Sequence, residues 1–152
     1  MTQAFVGLGA NLGDKALTLE AALSALGELP STRLIQVSSF YRSAPVDAGG
    51  PDFLNAVALI DTALAPEALL DALQAIEQAH GRERPYQNAP RTLDLDLLLY
   101  GDQHIATARL TVPHARLTER AFVLLPLLEI APGRADLAAF LSGVANQEIE
   151  RL

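Results

Sequence analysis

At 152 residues, half of them hydrophobic, the chain suits a single domain, residues 1–152, with a core large enough to fold alone. A net charge of −7 argues against a nucleic-acid binder, and no apolar run approaches a membrane span, since the longest, residues 121–128, carries Pro126. The absence of cysteine removes disulfides, thiolate metal sites and thiol nucleophiles and fits a cytoplasmic protein, while the first residues read as a strand rather than a signal peptide.

Residues 3–8 predict a short apolar strand. Asn11, Leu12, Gly13 and Asp14 then turn the chain into a helix, with Asp14 as its N-cap. That helix runs to about Glu28, with Leu19, Ala22, Leu23 and Leu26 as its apolar stripe and Pro30 beyond its end. Gly7, Gly9 and Gly13 invite comparison with a dinucleotide fingerprint, but the third glycine falls four residues after the second rather than three. They read as a tight strand-to-helix turn. Residues 33–41, rich in β-branched and aromatic side chains, predict a second strand. A loop over 43–52 carries Pro45, Gly49, Gly50 and Pro51, and residues 53–61 predict a third strand.

Pro66 opens a second helix at a position where its missing N–H costs nothing. Leu69, Leu73 and Ile76 form its buried stripe, Gly81 ends it, and Gln74 and Glu77, three apart, share a different face. A charged loop over 82–90 leads into a strand that ends at Gly101 and Asp102. Further on, residues 110–114 read as extended, Thr118 starts a helix that Pro126 kinks or splits, and Asp136 caps a short last helix. The order β-α-β-β-α-β predicts an α+β, ferredoxin-like core, an antiparallel sheet with helices on one face, plus a C-terminal extension. The opposite face is then free to carry a site.

The most informative stretch is residues 90–100, where Asp94 and Asp96 punctuate a run of leucines. Side chains alternate along a strand, so both carboxylates point one way and the leucines the other, with the two Cα atoms about 6–7 Å apart. Alternating acids on an exposed strand are common, and the pair alone is a weak motif. On a strand this apolar, however, acids are costly to bury unless they are paired or bound to metal. A hard divalent cation, or two, would turn the repulsion into a site.

Arginine supplies the complement. Lys15 is the only lysine, and six of the ten arginines (Arg82, Arg84, Arg91, Arg109, Arg116 and Arg120) lie between residues 82 and 120, against five acids. The rest of the chain has five cations and thirteen acids. Planar guanidinium forks suit phosphate oxygens. No glycine-lysine pair exists, so there is no P-loop, and a nucleotide would be held by arginines and metal. His114, with Thr111 before it and Arg116 and Arg120 after it, is a candidate phosphate contact, whereas His80 and His104 read as surface residues. Phe53 and Asn55 share a strand face, where a ring and an amide can read a flat heterocycle; Phe122 alone reads as core.

Taken in order, these segments resemble the 6-hydroxymethyl-7,8-dihydropterin pyrophosphokinase family of folate biosynthesis. The resemblance runs through residues 9–12, 37–43, 51–55, 76–82, 90–96 and 110–122. It implies transfer of pyrophosphate from ATP to a pterin alcohol, with two magnesium ions held by Asp94 and Asp96. It further implies ATP contacts from Gln74, Glu77, Arg82, Arg84, Arg91, Thr111, His114 and Arg120. Of these, Arg82, Arg84, Arg91 and His114 would join the two aspartates in catalysis. Pterin contacts would come from Ser43, Ala44, Val46, Phe53, Asn55 and Phe122, and the two loops match the family's mobile lids. The chain departs from the family at Pro85, where a lysine is common, at Asn88 and Ala89, where a tryptophan is common, and at Ala115, where an aromatic is common. Tyr86 and Arg84 stand near enough to substitute. The expectation is a cytoplasmic, monomeric enzyme with neither nucleic acid nor membrane as partner. The alternative is a ferredoxin-like sensor that binds nucleotide or pterin without chemistry, and a third reading is another magnesium-dependent phosphotransferase that makes ADP.

Overall fold

The computed structural model describes residues 1–44, 51–80 and 93–152. Its elements are, in order, β1 (Thr2–Ala10), α1 (Lys15–Gly27), β2 (Thr32–Val37), β3 (Tyr41–Ser43), β4 (Phe53–Thr62), α2 (Pro66–Ala79) and β5 (Asp94–Tyr100). The C-terminal extension adds β6 (Ile105–Ala106), β7 (Thr111–Val112), α3 (Ala121–Ile130), α4 (Ala135–Ala138), a 3-10 turn over Leu141–Val144, and β8 (Ile149–Arg151). β1 lies between β5 and β4, while β2 and β3 follow one another along the far edge of β4 and β8 pairs outside β3. Every pair is antiparallel. This is the ferredoxin-like arrangement that the order of elements predicts.

Alternation along β1 sorts the two faces. Ala4, Val6, Leu8 and Ala10 are buried against α1 and α2, packing with Leu19, Leu26, Leu69, Leu73, Leu95 and Leu97. Phe5, Gly7 and Gly9 turn to the other face. The second face is not wholly free: α3 packs on it, and Val57, Leu59, Leu98, Leu99, Leu124 and Leu127 form a second core. The extension covers one end of this face and leaves the glycine end uncovered by α3.

Several local expectations change. Gly7 and Gly9 lie within β1, and only Gly13, at φ +65°, makes the turn into α1. Asp14 caps that helix as expected, its carboxylate accepting from Leu17 N at 3.1 Å. The second strand is broken into β2 and β3. At the break Ser38 Oγ takes the place of a backbone carbonyl, accepting from Val57 N at 2.9 Å while Ser38 N donates to Val57 O. The register of β5 on β1 slips between Val6↔Leu97 and Phe5↔Leu99, a bulge that leaves Leu98 unpaired. Alternation already places Leu98 on the side of the aspartates, and the bulge turns Leu99 there too, so both join the second core, while Leu93, Leu95 and Leu97 pack into the opposite one.

α3 starts at Ala121 rather than Thr118 and runs unbroken through Pro126. Its apolar side chains are buried by the sheet, and that burial outweighs the lost hydrogen bond. Asp136 is not a cap; it sits in the first turn of α4 and chelates Arg134, with Nε–Oδ1 at 3.0 Å and NH2–Oδ2 at 2.9 Å. His104 is exposed, and His80 closes α2 with Nδ1 donating to Ile76 O at 2.9 Å. Among the described residues no helix is long and apolar enough to cross a membrane.

Candidate active site

Two rows cross the second face of the sheet. In the first, Asp94, Gly9, Asn55 and Tyr41 stand opposite one another on β5, β1, β4 and β3. In the next, Asp96 faces Gly7, which faces Val57. Each aspartate thus has a glycine beside it, and no side chain stands between Asp94 and Asn55, about 10 Å apart across two strand spacings. The reason for glycine is steric. A Cβ on Gly9 would lie 3.3 Å from Asn55 Oδ1, and one on Gly7 would lie 3.4 Å from the Leu98 side chain.

Asn55 is only 2 % exposed. Its Nδ2 donates to Ser43 Oγ at 2.7 Å and, at the limit of 3.5 Å, to Tyr41 O, which leaves Oδ1 directed over Gly9. Beneath this row Tyr41 donates its hydroxyl to Glu129 Oε1 at 2.7 Å, tying β3 to α3. Burial, and then the hydrogen bond to that carboxylate, push the Tyr41 phenol up to about 12. Burial would raise Glu129 too. Hydrogen bonds from Tyr41 and from the Ser39 amide and hydroxyl, with Arg151 nearby, outweigh it and hold the carboxylate below its usual range.

A cavity of about 210 Å³ opens at the β5 edge, where Asp96, Thr111 and His114 meet Leu70, Arg109 and Leu110. The bulge positions the histidine, because His114 N donates to Leu98 O at 3.0 Å. Its Nδ1 accepts from Arg116 N at 3.1 Å, so in the neutral ring the proton sits on Nε2, which faces Asp96 Oδ1 at 3.9 Å. Asp96 is half exposed. Arg109, at the turn of the β6–β7 ribbon, pairs with Asp71 of α2, and that carboxylate raises the guanidinium further above its ordinary value.

A second cavity, of about 300 Å³, lies where Ser43 and Ala44 meet Arg120, Phe122 and Gln147. The Arg120 guanidinium sits 5.5 Å from the Phe122 ring centroid. Phe53 and Asn55 do not line this cavity; Asn55 reaches it only through the Ser43 hydroxyl.

The structure therefore gathers the expected residues into two groups, Asp96 with Thr111 and His114, and Ser43 and Ala44 with Arg120 and Phe122. Asp94, Asn55 and Phe53 lie on the face between them. Gln74 is exposed on α2, whereas Glu77 is 3 % exposed and its Oε2 accepts from Leu95 N at 2.8 Å, so these two do not share a surface. Glu77 anchors α2 to the strand between the two aspartates. Val46, Arg82, Arg84 and Arg91, with Pro85, Tyr86, Asn88 and Ala89, fall outside the described residues. Arg109 and Gln147 also line the cavities. The arginine cluster pointed toward the first; nothing local marks the second.

Among the described residues no three carboxylate, histidine or cysteine side chains gather to hold a metal ion. Two aspartates one residue apart on an open face fit a hard cation whose remaining ligands are phosphate oxygens or water.

Comparison with known proteins gives the family and the fold. A family model described as 7,8-dihydro-6-hydroxymethylpterin-pyrophosphokinase matches residues 5–132. The chain belongs to that enzyme family. A relative from Pseudomonas aeruginosa, named 2-amino-4-hydroxy-6-hydroxymethyldihydropteridine pyrophosphokinase, is 48 % identical over 155 residues, covering 97 % of this chain and 95 % of the relative. One of the same name from Haemophilus influenzae is 48 % identical over 132 residues, covering 86 % and 82 %. In fold, the chain is similar to a crystal structure of an HPPK-DHPS in complex with substrates, with a TM-score of 0.77 at 14 % identity, over 99 % of this chain and 46 % of that one. The chain thus matches most of the length of those two relatives and under half of that larger chain.

Proposed function

We propose that this pyrophosphokinase transfers the β,γ-pyrophosphoryl unit of ATP to the hydroxyl of 6-hydroxymethyl-7,8-dihydropterin, releasing AMP. The observation that carries the reading is the placement of one cavity at the β5 edge of the sheet and another beside β3, with Asp94, Gly9 and Asn55 in the row between them. One is lined by a carboxylate, a threonine and a histidine; the other by an aromatic ring, an arginine and the serine that Asn55 holds. Two substrates of different chemistry suit such a pair.

In this reading Asn55 Oδ1 and Ser43 read the pterin's hydrogen-bonding edge, and Phe53 and Phe122 stack on its ring. Thr111 and His114 meet the nucleotide phosphates, with His114 donating from Nε2. Asp94 and Asp96 would hold two magnesium ions, which supply charge neutralisation on the triphosphate and make a bound hydroxyl more acidic. The pterin oxygen attacks the β-phosphorus; the new O–P bond forms as the α,β-bridging P–O bond breaks, and its electron pair leaves with AMP. The hydroxyl proton passes to a carboxylate of the Asp94 and Asp96 pair. Attack at the β rather than the γ position is a matter of alignment, so Arg82, Arg84, Arg91 and His114 are assigned to fix the triphosphate and stabilise charge on the transferred group, while Arg120 lies over Phe122 in the other cavity. Glu77 acts from below, holding β5 to α2.

The test is incubation of the pure protein with ATP, magnesium and the pterin alcohol. AMP forming in step with pterin consumed supports the reading, and nucleotide binding without AMP would overturn it.

A further inference from the structure

We infer that Gln147, from the carboxy-terminal segment, is a positioning residue for the aromatic cavity; the inference rests on the proposed function above. α3 begins without a cap of its own, since Arg120 occupies the N-cap position and makes no capping hydrogen bond with its side chain. Gln147 does this from 26 residues away: its Oε1 accepts from Ala121 N at 2.9 Å. Its Nε2 donates to Glu119 O at 2.8 Å. One side-chain amide thus holds the backbone on both sides of Arg120.

What this grip fixes is the part of the cavity that meets a flat ring. Phe122 lies in the first turn of α3, and the Arg120 guanidinium rests over its ring. First-turn N–H groups without partners let a helix end fray. Fraying here would release the ring and the guanidinium together. Gln147 also lines the cavity, beside Ser43 and Ala44, so the segment that holds the aromatic residue is itself one wall of the site. A preformed wall spares the ligand the entropy of ordering it.

The experiment is direct titration of 6-hydroxymethyl-7,8-dihydropterin by fluorescence, in the presence of magnesium and a non-hydrolysable ATP analogue. Gln147→Met keeps the length of the side chain and loses both hydrogen bonds; its dissociation constant for the pterin rises about five- to tenfold. Gln147→Glu keeps the acceptor for Ala121 N but turns a carboxylate oxygen toward Glu119 O, and its dissociation constant falls between those of the parent and Gln147→Met. In a Phe122→Ala background the Gln147→Met change is nearly silent in pterin affinity, while the fall in melting temperature is the same in both backgrounds. Unchanged pterin affinity in Gln147→Met would overturn the inference, as would a loss of equal size in the Phe122→Ala background, because a merely structural residue gives that result. Failure of the parent protein to bind any pterin would overturn the proposed function and this inference with it.

Discussion

The two faces of the sheet share the same strands and are built for different ends. Leu8 and Gly9 are neighbours on β1, yet Leu8 is sealed among the leucines of α1, α2 and β5, while Gly9 leaves a gap between Asp94 and Asn55. On β5 the same division separates Leu95 and Leu97 from Asp94 and Asp96. One face spends its side chains on stability along its whole length; the other packs a second core under α3 and, beside it, sets glycines between polar groups. Packing therefore positions the chemistry without taking part in it. Substitutions on the two faces should separate stability from turnover.

The largest separation is expected at Asp96. Asp96→Asn removes a charge but almost no volume from a half-exposed position. Turnover falls by about a thousandfold or more, with the melting temperature within about 2 °C of the parent. Parallel loss of both, in calorimetry and AMP assays, would dissolve the distinction between the faces.

The neighbouring pair on β1 sharpens it. Leu8→Ala opens a cavity in the sealed core and costs about 2–4 kcal/mol of stability, with the KM for either substrate within about twofold for the folded fraction. Gly9→Ala places a methyl 3.3 Å from Asn55 Oδ1. It raises the pterin KM about tenfold while changing stability by less than about 1 kcal/mol. Chemical denaturation and steady-state kinetics on both variants decide the matter.

The smallest effect concerns the node that ties β3 to α3 on the second face. Glu129 has a depressed pKa in the folded protein, so its contribution is present above the ordinary glutamate value of about 4.3 and is lost as pH falls through the lower folded value. Glu129→Gln therefore lowers the melting temperature near pH 7 and converges with the parent in acid. A gap that stays constant with pH would contradict the assignment of the charged form to the Tyr41 and Ser39 hydrogen bonds.

Much of this was legible in the sequence because it rests on periodicity and on local chemistry. The strand and helix order follows from alternation and from the cap at Asp14, and the carboxylate pair is visible because Asp94 and Asp96 break a leucine run. What escaped reading depends on partners distant in sequence. Leucines on both sides of the Leu98 bulge look alike, so nothing local shows the phase change that sends Leu99 after Leu98 toward the aspartate side and offers the Leu98 carbonyl to His114. Ser38 interrupts its strand only because Val57 is there to bond its hydroxyl. Glu77 looks like a surface acid until β5 supplies the Leu95 amide that makes its burial tolerable. Gly7 and Gly9 resemble turn glycines, and only the cross-strand register shows them as strand residues that keep the floor of the site clear.

The most direct measurement of the central claim follows the β-phosphorus. With ATP labelled at that atom, magnesium and 6-hydroxymethyl-7,8-dihydropterin, the label should pass to the pterin diphosphate while the nucleotide product is unlabelled AMP. Label retained in ADP, with a pterin monophosphate formed, would mean γ-phosphoryl transfer and would contradict the account.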